Sequence, residues 1–311
     1  MIEAEGLSKS FESFRAVENI SLKVEPGTVV AILGPNGAGK TTTVRMLTCI
    51  LTPTSGWAKV AGYDITKDPA QVRAHVGVLT EQHGLYERMN ALAYLEFFGR
   101  VYNLPPALAQ ERAKSLLARF GLGQAQNRRV GEYSKGMKQK LALVRSMLHD
   151  PAVLLLDEPT SAMDPQSAKQ VRDAIMELRQ DKRTVILTTH NLTEAHTLAD
   201  RIAVIRRGRI IAHGTFEQLA MEFVGSPVMR LQLLNSAQGV ADDLREVVEV
   251  RETGEDWIDF VAPEPSKINP MVLRRVMDKG ADILTLSQRS RSLEDVYLRI
   301  VEEDEKVEGK K

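Results

Sequence analysis

One short run constrains this chain more than any other. Gly34-Pro35-Asn36-Gly37-Ala38-Gly39-Lys40-Thr41 fits the pattern G-x-x-x-x-G-K-[ST], with Thr42 next. Residues 28–33 before it are almost uniformly apolar, and residues 40–51 after it carry a helical pattern ended by Pro53. A strand without polar alternation reads as buried on both faces, which belongs in a parallel sheet of an α/β domain. The glycines allow successive backbone N–H groups to wrap an anion, and the start of the helix points its positive end at the same charge. The run therefore predicts a phosphate-binding loop. Lys40 is placed to reach β- and γ-phosphates and the Thr41 hydroxyl to ligate Mg²⁺.

Such a loop alone specifies only a P-loop nucleotide hydrolase. A second constellation narrows it. Val153-Leu154-Leu155-Leu156 leads into Asp157-Glu158-Pro159-Thr160, a buried strand that ends in two carboxylates. Adjacent acids are common on surfaces, but four apolar residues in front favour a site at a strand's C-terminal end. There Asp157 is suited to hold Mg²⁺ through water and Glu158 to polarise an attacking water. Further strand-like runs at 20–24, 58–60, 76–79, 184–188 and 202–205 continue the α/β alternation. Residues 89–150 are helical in pattern instead, an all-helical insertion.

A third run decides between the many P-loop classes. Tyr133-Ser134-Lys135-Gly136-Met137 precedes a helix at 139–148 and resembles the signature motif of the ABC ATPases, usually LSGGQ. The other motifs of that family follow in order: Asp157-Glu158, a D-loop at Ser161-Ala162-Met163-Asp164-Pro165, and a switch histidine at His190. The resemblance covers about the first 225 residues. It implies a RecA-like core that dimerises head to tail, each ATP lying between the P-loop of one subunit and the signature of the other. Asn36, Gly37, Ala38, Gly39, Lys40, Thr41 and Thr42 then hold the phosphates. Ser134 and Gly136 reach the γ-phosphate bound by the partner, and His190 contacts it and positions water. Phe11 matches the aromatic that stacks on adenine, with Phe14 as the alternative.

Three departures from the family pattern stand out. Lys135 and Met137 replace the usual glycine and glutamine of the signature. Ala162-Met163 replaces Gly-Leu in the D-loop, with Asp164 retained. Glu81, followed by Gln82, stands where a Mg²⁺-ligating glutamine is usual; a carboxylate is also a good oxygen ligand for Mg²⁺, so Glu81 is expected to take that role and Gln82 to face the membrane partner.

Composition limits what such an ATPase can serve. The 41 basic and 41 acidic side chains balance, which gives no indication of nucleic-acid binding. Cys49 is the only cysteine; it lies in an apolar run and reads as a buried structural thiol in a reducing compartment. No run approaches the roughly 20 apolar residues that cross a bilayer, so a transport role needs a separate permease. The expectation is a peripheral subunit on the cytoplasmic face of the membrane, with ATP and Mg²⁺ as cofactors and a second ATPase subunit, most simply another copy, as partner. A short insertion and a single P-loop argue against the coiled-coil DNA-repair and tandem ribosomal members. An importer ATPase and a non-transport switch are the alternatives.

The chain changes character at Ser226-Pro227. Runs at 230–234, 240–247, 248–252, 257–261 and 282–287, with a helix after Pro270, give the order β-α-β-β-α-β of a split βαβ unit. The expected organisation is an ATP-binding domain at 1–225, its helical insertion at about 89–150, and a small accessory α+β domain at 226–301. A charged, unstructured tail is expected at 302–311. The ending Ser292-Leu293-Glu294-Asp295-Val296-Tyr297-Leu298 resembles the tail domain of prokaryotic ABC-2-type exporter ATPases, which handle drugs, antibiotics and polysaccharides.

Overall fold

The computed structural model describes residues 1–80, 84–161, 163–181 and 183–309. The chain forms two compact units, Met1–Phe216 and Glu217–Lys311. Glu81 and Gln82, expected as Mg²⁺ ligand and permease contact, and Ala162 of the D-loop lie outside the described residues.

Two sheets build the first unit. An antiparallel sheet in the order β2-β1-β4-β5 contains β1 (Ile2–Phe11), β2 (Phe14–Val24), β4 (Ser55–Val60) and β5 (Tyr63–Asp64). The six-stranded sheet holds β3 (Val29–Leu33), β6 (Val76–Leu79), β7 (Val153–Asp157), β8 (Thr184–Thr189), β9 (Arg201–Arg206) and β10 (Arg209–Gly214), in the order β10-β9-β3-β8-β7-β6. All its pairings are parallel except that of β10 with β9. Every residue of β3, β7 and β8 is buried, as an unbroken apolar pattern requires when both faces are covered.

Helix α1 (Lys40–Leu47) packs Val44, Met46 and Leu47 into a core shared by both sheets, with Ile2, Leu7 and Ile20 from one and Ile32, Leu155 and Ile186 from the other. The helix was expected to reach residue 51. It stops at Leu47, and Cys49 takes the left-handed conformation, φ +59°. That thiol is half-buried, and burial pushes its pKa up. After α2 (Pro69–His75), the helical insertion comprises α3 (Ala91–Val101), α4 (Pro106–Arg119) and α5 (Lys135–Met147), joined through two 3₁₀ turns. Asn90 caps α3, its side chain accepting from the Ala93 N–H at 2.8 Å; this satisfies one of the orphan donors of a helix start. Helices α6 (Pro165–Gln180) and α7 (Leu192–Leu198) return the chain to the sheet.

The second unit begins within α8 (Phe216–Phe223). Its antiparallel sheet runs β12-β13-β11-β14, from β11 (Val228–Leu233), β12 (Val250–Thr253), β13 (Trp257–Val261) and β14 (Ile283–Gln288). Helices α9 (Val240–Leu244) and α10 (Pro265–Asp278) interleave with these strands in the order read from the sequence. Two helix boundaries differ most. Helix α10 starts at Pro265, not after Pro270. Proline at a first helical position loses no bond, and the carbonyl that Pro270 leaves without a partner belongs to exposed Ser266. Helix α11 (Leu293–Glu308) extends through most of the residues expected to be an unstructured tail. A capping box between Ser292 and Asp295 starts it, and its glutamates are good helix formers.

Candidate functional site: a phosphate loop facing two carboxylates

The parallel register assembles the site. Leu33 pairs with Thr189, and Asp157 with Thr188. The C-terminal ends of β3, β7 and β8 therefore meet at one edge, where ligands of open α/β sheets bind. Residues 34–39, Glu158 and His190 leave the sheet from that edge.

Two glycines of the loop have steric reasons to be there. A Cβ on Gly34 would lie 2.2 Å from the Ile205 carbonyl oxygen. Gly39 caps α1 in the left-handed region, φ +103°, and a Cβ there would lie 2.6 Å from the Ala16 oxygen. Only glycine meets both conditions at that position. The loop is further pinned by the Gly208 N–H, which donates to the Ala38 carbonyl at 2.9 Å.

Lys40 is buried. Its ammonium donates to the carbonyls of Gly34 at 2.7 Å and Pro35 at 3.1 Å and lies 3.2 Å from Glu158 Oε1. Asp157 Oδ1 accepts from the hydroxyls of Thr41 at 3.2 Å and Thr188 at 2.5 Å. The Glu158 N–H donates to Thr188, and the residue holds φ +49°. A non-glycine residue in that region stores strain, typically about 1–3 kcal/mol, and such strain concentrates at functional sites. Glu158 Oε2 lies 2.9 Å from His190 Nδ1, whereas Oε1 accepts no hydrogen bond. The carboxylate is thus aimed and only partly engaged.

A cleft of about 440 Å³ opens at this point, a volume suited to a small ligand. Asn36, Gly37, Gly39, Lys40, Thr41 and Thr42 line it together with Glu158, Ser161 and His190. Ala38 is buried and does not line it. The aromatic in the wall is Phe14, beside Ala16; Phe11, the first choice from sequence, is its hairpin partner on β1, with the Lys9 ammonium 5.3 Å from the ring centroid. Ser134 and Gly136 do not line the cleft. Ser134 caps α5, accepting from the Met137 N–H at 3.2 Å, and a Cβ on Gly136 would meet Ser167 at 3.1 Å.

Two residues passed over in the sequence support this edge. Buried Gln139 of α5 donates to the Pro159 carbonyl at 2.5 Å. Glu194 of α7, 1% exposed, accepts from the Thr160 hydroxyl at 2.9 Å, and its N–H is capped by Asn191. Burial raises the Glu194 pKa, against the lowering effect of hydrogen bonds from Thr189 and Thr160. The spacing Asn191-x-x-Glu194 is a helix-start signal, which reveals the cap but not the long-range bond.

Comparison with known proteins agrees with this geometry. The ABC transporter family profile matches residues 17–161. The daunorubicin resistance ATP-binding protein DrrA3 of Streptomyces coeruleorubidus is 35% identical over 308 residues, covering 98% of this chain and 97% of that protein. The linearmycin resistance ATP-binding protein LnrL of Bacillus subtilis is 30% identical over 304 residues, covering 96% and 98%. An ATP-binding subunit of an ABC transporter of known structure superimposes with a TM-score of 0.65 at 28% identity, over 72% of this chain and 94% of that one. The dimeric ATP-binding cassette MJ0796 bound to ADP and Pi shares the fold, with a TM-score of 0.62 at 24% identity over 69% and 98%. Phosphate loop, carboxylate pair and near full-length relatives converge: the chain belongs to the ATP-binding subunits of the ABC transporter family and is an ATPase.

Proposed function

We propose that this subunit powers a separate membrane permease in the direction of export, as one of two ATPase subunits at the cytoplasmic face of the membrane. The observation that carries the shared-site reading is the separation of Ser134 and Gly136 from the cleft that Lys40, Glu158 and His190 line. A head-to-tail second copy supplies those two groups. The export direction draws on the near full-length resistance ATP-binding proteins. Among the described residues no helix is long and apolar enough to cross a membrane.

The geometry suggests how nucleotide engages. Lys40 is held by two carbonyls of its own loop and by Glu158. A triphosphate in the loop competes for that ammonium, and the exchange frees Glu158 from its cation while His190 still holds the other oxygen. Glu158 is then positioned as general base towards a water on the γ-phosphate, with His190 orienting it. The adenine ring stacks on the Phe11–Phe14 hairpin, with Phe14 in the wall of the cleft. Thr41 and Asp157 offer two oxygens at one point, a donor set that fits Mg²⁺, which is commonly held by one or two protein oxygens together with water and phosphate. Mg²⁺ there supplies charge neutralisation of the phosphates. Glu81 remains a proposed further ligand, with Gln82 towards the permease.

Direction is tested in membrane vesicles carrying the subunit and its permease, with a panel of fluorescent drugs. ATP-dependent accumulation inside inside-out vesicles, lost in Glu158→Gln, is the expected result. ATP-dependent movement out of the lumen, towards the ATP side, would make the complex an importer.

A further inference from the structure

The accessory unit contains a cavity of about 650 Å³, larger than the nucleotide cleft. Its position follows from the sheet's two faces. Leu231, Leu233, Ile258 and Phe260 turn to an apolar core with α9 and α10 residues such as Leu244 and Val272. With a period of two along each strand, Arg230 and Asp259 turn to the other face. An antiparallel sheet commonly leaves such a face to water. Here the cavity lies against it, with Asp295, Leu298, Arg299 and Glu302 of α11 in the opposite wall.

Asp259 on this face is fully buried. It accepts two bonds from Arg230, at 2.7 and 2.9 Å, and one from Arg289 at 2.8 Å. Arg230 in turn stacks on Trp257, 3.7 Å from the ring centroid. Buried ion pairs contribute little net stability compared with apolar packing, so a charged layer under a cavity calls for another reason. Convergent charged groups in a cavity mark a binding site.

The charges of the wall are balanced in number but not in engagement. Each acid already has a partner: Asp259 as above, Glu252 with Arg289 at 3.6 Å, Glu302 with Arg299 at 3.2 Å, and Asp295 with Ser292 in the capping box. Arg291 differs. Its Nη2 is buried without a hydrogen-bond partner. Burial and the neighbouring Arg251 charge both lower its pKa, which means the cation is destabilised where it stands. Val224, Val228 and Leu298 add apolar wall.

We propose that this cavity is a binding site for a small organic anion, whose carboxylate or phosphate head pairs with Arg291 and Arg251 and whose apolar body lies against Val224, Val228 and Leu298. A guanidinium offers a planar fork of donors matched to either oxyanion. All of its lining residues belong to the accessory unit.

The test uses the full chain with saturating ADP, so that the P-loop is filled. Octanoate and inorganic phosphate are titrated separately by calorimetry, to distinguish a carboxylate from a phosphate head. Binding of at least one probe is expected, weakened about tenfold or more in Arg291→Gln, with basal ATPase activity unchanged. Arg251→Gln provides a second reading at a position on the sheet. Failure of both probes to bind the wild type, or equal binding by wild type and both variants, would overturn the assignment.

Discussion

Glu158 of the ATPase unit and Asp259 of the accessory unit are both buried carboxylates, and the two are treated in opposite ways. Asp259 has its oxygens taken by three guanidinium hydrogen bonds from Arg230 and Arg289. Glu158 keeps Oε1 free of hydrogen bonds, 3.2 Å from a lysine that other partners also hold, on a backbone of positive φ. Burial is common to both, so burial does not separate the acid we propose as general base from an architectural one. What separates them is unused capacity: a saturated carboxylate can only hold its neighbours, whereas an incompletely engaged one can accept a proton.

The comparison fails first if Glu158→Gln still turns over ATP. A general base contributes roughly 10²–10⁴-fold, and a loss of that order in steady-state turnover is the largest effect expected. Asp259→Ala should instead cost stability. Its partners Arg230 and Arg289 keep 32% and 50% of their side chains exposed, so the loss falls below the roughly 3–5 kcal/mol of a fully buried pair and is seen as an earlier urea transition of the accessory unit followed at Trp257. ATP hydrolysis below that transition should be retained.

A smaller effect sharpens the description of the nucleotide cleft. Phe14→Ala is expected to weaken ATP binding by about tenfold, the scale of roughly 1–1.5 kcal/mol for an aromatic stack. Phe11→Ala, measured alongside, apportions the stacking across the hairpin. The smallest effect concerns another buried carboxyl of the ATPase unit. Glu194 has its pKa raised above 4.5 by burial, so the folded chain binds more protons than the unfolded one above that pH. Stability contributed by this group therefore falls as pH rises from 4.5 through the raised native pKa. Glu194→Gln should remove that slope, leaving the variant gaining on the wild type over the same window in urea midpoints.

These contrasts were unevenly legible in the sequence. Lys40, Thr41, Asp157, Glu158 and His190 could be read because each lies in a short pattern at the end of an apolar strand. The register Leu33–Thr189 and Asp157–Thr188 then brings those ends together. The Lys40–Glu158 contact, the Gln139–Pro159 bond and the Thr160–Glu194 bond cross 118, 20 and 34 positions, and no local pattern encodes such pairings. Phe14 over Phe11 depends on which way a hairpin turns its side chains towards the cleft. In the accessory unit the order of elements was readable, but the Asp259 clamp was hidden among ordinary alternating polar positions. The helical run to Glu308 is obscured in the sequence by its dense charge pattern, although the capping box at Ser292 starts the helix.

The central claim is that the cleft is half a site, completed by Ser134 of a second copy. Gel filtration of Glu158→Gln and of the double variant Glu158→Gln/Ser134→Ala, each with ATP and Mg²⁺ and again with ADP, tests it most directly. The account predicts that Glu158→Gln elutes as a dimer with ATP and a monomer with ADP, and that the double variant stays monomeric while still binding ATP. A double variant that dimerises as fully as the single one would contradict it.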